Sequence, residues 1–220
     1  MYKACIFDLD GTLTDTLESL SYSVNLTLKE MGLGQITNEQ CKAFVGNGAR
    51  KLLEQSIRAA GDENASRIEE AVEIYGRIFK QYCTYQVKPY DGIEPLLQEL
   101  NKQGVKMAVL SNKPHLQTKD VVKSFFGEQM FACVQGQQEH VPRKPSPEAV
   151  FMILDEMQVK KEETLYIGDS EVDMMTGKAA GVDTIGVTWG FRTRDVLKEH
   201  GATYIVDKAE VINAIVKGDM

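Results

Sequence analysis

Short apolar runs at Lys3–Leu9, Lys106–Leu110, Phe131–Val134, Thr164–Ile167, Thr184–Val187 and Thr203–Val206 alternate with helical patterns at Ile93–Gln103, Leu116–Phe126, Pro147–Met157, Glu171–Ala180, Thr193–Glu199 and Lys208–Val216. Continuous apolar runs suit strands buried on both faces. Parallel strands in turn need a long crossover between them, which a helix supplies. The alternation predicts an α/β fold: a parallel sheet with helices on both faces. Ser146-Pro147-Glu148 reads as an N-cap, a first-turn proline and an acid at the positive helix end.

One stretch breaks the pattern. From Asp15 to Val87 the apolar residues recur only at helical spacing: Leu17, Leu20, Val24 and Leu28, then Leu52, Leu53 and Ile57, then Ile68, Val72, Tyr75 and Phe79. The expected organisation is a sheet domain from residues 1–14 and 88–220, with a helical module, residues 15–87, inserted after the first strand. The crossings near Leu13–Thr16 and Lys88–Tyr90 would serve as hinges.

Charge narrows the function. Lys and Arg number 25 against 32 Asp and Glu, a formal charge of −7, which argues against nucleic-acid or membrane-surface binding through a general basic field. A small phosphorylated substrate stays possible if the site supplies local cations. No run approaches a membrane span, and Met1–Asp8 lacks a signal-peptide pattern. Cys5, Cys41, Cys83 and Cys133 are too dispersed for a metal knuckle or a disulfide framework. Buried reduced thiols in a cytoplasmic protein are expected.

The chemistry is concentrated at strand ends. Asp8-Leu9-Asp10-Gly11-Thr12 puts two carboxylates on one side of an extended chain, ahead of a glycine that permits a turn. Ser111-Asn112-Lys113 ends a second strand, Lys144 sits in a turn before a helix, and Gly168-Asp169 ends a third strand with Asp173 following. Each has an ordinary alternative: an acidic surface turn, a helix-capping serine, a solvated lysine, or Asp169 and Asp173 as caps of the next helix. Together, at the carboxyl ends of successive strands, they suit phosphoryl transfer. The acids repel one another and repel phosphate. A hard divalent cation such as Mg²⁺ relieves both, while Lys144 adds a fixed positive charge and Ser111 holds phosphate oxygens.

On these motifs the chain resembles the haloacid-dehalogenase superfamily along essentially its whole length. The resemblance implies a Rossmann-like core with a helical cap. It also implies that Asp8 is a nucleophile forming an aspartyl-phosphate and Asp10 an acid/base. Ser111 and Lys144 would bind the transferring phosphoryl group. Mg²⁺ would be held by Asp8, the Asp10 backbone carbonyl and Asp169, with Asp173 either a ligand or a support. Retention of Asp10 separates the chain from the family's dehalogenases. Thr12 and Asn112 are expected on the substrate side, together with Gly46, Gly48 and Arg50 of the cap. In the Phe44–Leu53 segment the two glycines expose backbone N–H groups, and Arg50 either clamps a second anion or is simply solvated. That segment resembles the cap loop of phosphoglycolate phosphatases, which implies a small substrate with one phosphate and one carboxylate, 2-phosphoglycolate first. A beta-phosphoglucomutase-like mutase and an inorganic pyrophosphatase share the motifs. A receiver-like phospho-acceptor domain fits poorly, because its acids lie on separate strands and it lacks the insertion. The expected state is monomer or homodimer. Arg192 and Arg194 are read as solvated, and His115, His140 and His200 are too dispersed to form a site.

Overall fold

All four residues of β1 (Ala4–Phe7) are buried, and the alternation along the strand serves two cores at once. Cys5 and Phe7 face one hydrophobic layer, and Ala4 and Ile6 face the other, as the two-residue period of a strand requires. The computed structural model describes residues 1–219. After β1 the chain runs through β2 (Thr14–Asp15), α1 (Leu17–Glu30), α2 (Asn38–Phe44), α3 (Ala49–Ala59), α4 (Ile68–Tyr82) and β3 (Lys88–Pro89). Then come α5 (Ile93–Lys102), β4 (Lys106–Pro114), α6 (His115–Phe126), β5 (Cys133–Gln137), α7 (Glu148–Met157) and β6 (Thr164–Gly168). The chain closes with α8 (Glu171–Ala180), β7 (Asp183–Val187), α9 (Arg194–Glu199), β8 (Tyr204–Val206) and α10 (Ala209–Lys217).

The main sheet has 6 strands in the order β5-β4-β1-β6-β7-β8, and every pairing in it is parallel. The order runs outward in both directions from β1. Ligands of such sheets bind where the winding reverses, beyond the carboxyl ends of the central strands. Helices α5, α6 and α10 supply Leu97, Val121 and Ile212 to one layer. Helix α7 supplies Val150 and Ile153 to the other. The helices α1 to α4 close a third core of their own around Val24, Leu53, Ile57 and Phe79. The fold is α/β, a Rossmann-like core with a helical cap.

Several details depart from the sequence reading. β4 continues to Pro114, past Leu110, with a register irregularity against β5. The polar residues that made Leu110 look like the end are buried beneath the cap, so the backbone stays extended. β5 sits later than Phe131–Val134. α2 had no clear apolar period because it buries only Cys41. The two crossings pair as a short antiparallel ribbon, β2 with β3, which two-residue strands do not announce. Pro147, not Ser146, is the N-cap of α7, with no side-chain cap bond. All the cysteines are free, but Cys133 is only half-buried. Among the described residues no helix is long and apolar enough to cross a membrane.

Candidate active site

The central strands β1, β4 and β6 deliver one chemical group each to the same end of the sheet. Asp8 follows β1 directly and is pinned there by its N–H, which donates to the Ile167 carbonyl at 2.8 Å. Ser111 lies near the end of β4 and is buried. Asp169 follows β6 and is 1% exposed. Gly11 turns the chain after the acidic pair at φ +89°, and a Cβ there would meet Asp169 Oδ2 at 2.4 Å, so the turn both needs and hides behind a glycine.

Lys144 is the hub. Its Nζ lies 2.9 Å from Asp8 Oδ1 and 2.7 Å from Asp173 Oδ1. Burial pulls the Lys144 ammonium toward neutrality, but the charges of Asp173 and Asp8 outweigh it and hold the group well above the usual lysine range. Asp173 is itself held by the Ser170 N–H at 3.1 Å and hydroxyl at 2.6 Å, both donating to Oδ2. Asp173 therefore closes the capping box of α8 while presenting its other oxygen to Lys144. The capping alternative thus holds for this residue, which at the same time faces Lys144. Asp169 accepts from the Thr12 hydroxyl at 3.1 Å and from the Phe191 N–H at 2.7 Å. Asp10 is paired with Lys113, Nζ to Oδ1 at 2.8 Å. Lys113 also lies 4.8 Å from the centre of the Phe79 ring of the cap.

The cluster carries more acid than its two lysines balance. Burial, offset only in part by Lys144 and reinforced by Asp173 and Asp169, pushes the Asp8 carboxyl well above its usual range. Burial and the Asp173 charge push Asp169 up to about 7. Oxygens of Asp8, Asp169 and Asp173 lie within 4.8 Å of one another. Asp8 Oδ1 is buried without an aligned hydrogen bond, its contact with Lys144 being an ion pair only. An oxygen-only donor set with excess negative charge and an orphaned carboxylate oxygen fits a hard divalent cation.

A cavity opens onto this cluster, lined by Asp8, Asp10, Ser111, Lys113, Lys144 and Asp169 on the core side. Leu20, Val45, Leu52, Tyr75 and Phe79 line it from the cap, with Gly46, Gly48 and Ala49. The structure thus gathers Asp8, Asp10, Ser111, Asn112, Lys144, Asp169, Gly46 and Gly48 around the cavity, and it gives Thr12, Asn112 and Arg50 protein partners of their own. Thr12 is fully buried and does not reach substrate space, because its hydroxyl is committed to Asp169. Asn112 borders the cavity, but its amide is spent on the protein. It donates to the Gly46 and Lys144 carbonyls at 2.9 and 3.2 Å and accepts the Lys144 N–H at 2.9 Å. Arg50 points outward and pairs with Glu69, because it follows the helix start on the far side of α3 from the cavity. Lys113, to which the sequence assigns no role, turns into the site and pairs with Asp10. Its position beside Ser111 and Asn112 was the available signal. Arg192, read as solvated, is only 15% exposed and bonds to the cap.

A family model for haloacid dehalogenase-like hydrolases matches residues 5–187. A phosphoglycolate phosphatase of Pseudomonas syringae pv. syringae is 31% identical over 215 residues, spanning 96% of this chain and 78% of that protein. One from Colwellia psychrerythraea is 27% identical, spanning 93% and 92%. Among solved structures, a predicted phosphoglycolate phosphatase from Haemophilus somnus superposes with a TM-score of 0.90 at 25% identity, covering 97% of each chain.

Proposed function

The chain belongs to the haloacid dehalogenase-like hydrolase family, and on that premise we propose that it is a magnesium-dependent phosphatase of small phosphomonoesters, working through an aspartyl-phosphate on Asp8. The observation that carries this reading is the Lys144 ammonium, 2.9 Å from Asp8 Oδ1, at the strand ends where Ser111 and Asp169 also lie. An Asp8 oxygen attacks phosphorus and the bond to the leaving oxygen breaks. Asp10 gives that oxygen a proton, then takes one from the water that hydrolyses the acyl-phosphate. Lys113 orients the Asp10 carboxylate, and Lys144 and Ser111 hold phosphoryl oxygens as charge spreads over them. Magnesium, held by Asp8 and Asp169, would shield the acids from the incoming phosphate. Asp173 serves as a support, since Oδ2 already takes two donors and Oδ1 faces Lys144.

For the substrate, 2-phosphoglycolate stands first. The relatives carry that name. The start of α3 at Ala49, behind Gly48 with no side-chain cap, borders the cavity and presents its positive end to an anion. The backbone there takes over the part expected of Arg50. Residues 15–87 act as the cap and the remainder as the catalytic core, in a cytoplasmic monomer or homodimer. Phosphate release is measured across 2-phosphoglycolate, hexose 1-phosphates and pyrophosphate, with EDTA and then added magnesium. Loss on chelation and recovery with magnesium, poorer with calcium, is expected, with 2-phosphoglycolate fastest. Isomerisation of the hexose phosphate, or faster cleavage of pyrophosphate, replaces the substrate assignment. Full activity in EDTA overturns the metal.

A further inference from the structure

The loop after β7 touches both halves of the molecule within four consecutive residues. Trp189 Nε1 donates to the Thr12 carbonyl at 3.0 Å, in the turn after the nucleophile. Gly190 lies so close beneath Asp169 that a Cβ would come within 2.4 Å of the Asp169 Cβ. The Phe191 N–H donates to Asp169 Oδ2 at 2.7 Å, while the Phe191 ring packs against the core of the cap. Arg192 then reaches across: Nη1 donates to the Lys42 carbonyl at 2.9 Å and Nη2 to the Val45 carbonyl at 2.7 Å. Its third donor, Nε, is anchored on Glu171 at 2.9 Å, in the first turn of α8.

Those two carbonyls belong to the end of α2 and its C-cap. The last carbonyls of a helix lack partners within it and carry the negative end of its dipole, so a guanidinium is a strong partner for them. Here it comes from the core domain rather than from the helix itself. Val45 and Gly46, next to the bond, line the cavity.

We propose that Arg192 is a positioning residue for the phosphatase reaction: by capping α2 from the core, it holds the cap shut over Asp8, and through Phe191 it ties cap position to the Asp169 carboxylate. The proposal rests on the phosphatase reading for its kinetic arm only. With Arg192 paired, the Val45–Gly48 wall stays over the cavity. Without it, that wall is left with the single Asn112–Gly46 bond among the side-chain links described above.

Hydrogen exchange of the full-length protein tests the closure without needing turnover. In Arg192→Ala, the amides of residues 42–48 should exchange at least about a hundredfold faster than in the wild type, the scale of losing two charge-assisted bonds from a closing equilibrium. The core strands should stay protected. In parallel, KM for 2-phosphoglycolate, or for p-nitrophenyl phosphate if the former is not turned over, should rise several-fold more than kcat falls. Arg192→Lys, which keeps the charge but loses the fork, should fall between the two. Unchanged exchange over residues 42–48 overturns the latch. Faster exchange spread evenly over the whole chain also overturns it, because that marks a general loss of stability. Faster local exchange with unchanged KM and kcat removes the link to the reaction. Absence of turnover on any phosphate ester instead counts against the phosphatase reading, and leaves the exchange result standing as the test of the latch.

Discussion

The two walls of the cavity are built on opposite principles. The core wall is charged, buried and crowded with mutual contacts: Asp8, Asp173 and Lys144 hold one another, Lys113 holds Asp10, and Thr12 and Phe191 hold Asp169. The cap wall is apolar side chain and bare backbone, with its one nearby arginine from α3 turned to solvent. In the proposed reaction the phosphoryl group is the same in every substrate, so a wall that meets it can be rigid and fully committed. The leaving group varies, and the wall that meets it sits on a separate helical core joined to the sheet domain by a short ribbon and a few bonds. On the proposed function, chemistry and selectivity are divided between the two bodies.

Changes in the core wall should therefore cost far more than changes in the cap. The largest effect is expected for Asp8→Asn, which keeps size but removes the proposed nucleophile. Phosphate release should fall by at least ~1,000-fold, with the circular dichroism spectrum unchanged. Normal turnover in that variant would assign the attack to another residue. Lys144→Met comes next and should injure both activity and stability. It leaves Asp8 and Asp173 buried without their cation, a loss on the order of 3–5 kcal/mol by urea titration. Burial already holds the Asp8 carboxyl above its usual range, so without its cation the variant should recover stability as pH falls and Asp8 takes up a proton. The smallest effect is expected for Arg50→Ala, since the Arg50–Glu69 pair is exposed. The ratio of kcat to KM should stay within about twofold. A large rise in KM there would return Arg50 to the substrate and break the division.

Much of this was legible in advance because it depends on short-range rules. The switch between strand and helix periods located every strand of the main sheet, and the direction of parallel strands placed Asp8, Ser111 and Asp169 at one end. The cap helices with a strong apolar face, α1, α3 and α4, were visible for the same reason. α2 was not, because a single buried residue marks no period, and the β2–β3 ribbon was not, because strands of two residues carry none. Within the site, the gathering of Asp8, Ser111, Lys144 and Asp169 was legible, but the partner of each was not. Thr12 and Asn112 looked like substrate ligands because a hydroxyl and an amide at strand ends can face either way. Only packing showed them spent on Asp169, Lys144 and Gly46.

Hydrophobic period and the order of the acidic motifs determined the α/β fold, the helical insertion and the class of chemistry, since each acts through neighbours along the chain or through strand direction. Which partner each cation meets was decided by tertiary structure alone. Lys113 and Asp10 are 103 positions apart, and Arg192 and Val45 are 147 apart. A long, flexible cationic side chain has no preferred partner until burial removes water as the competitor.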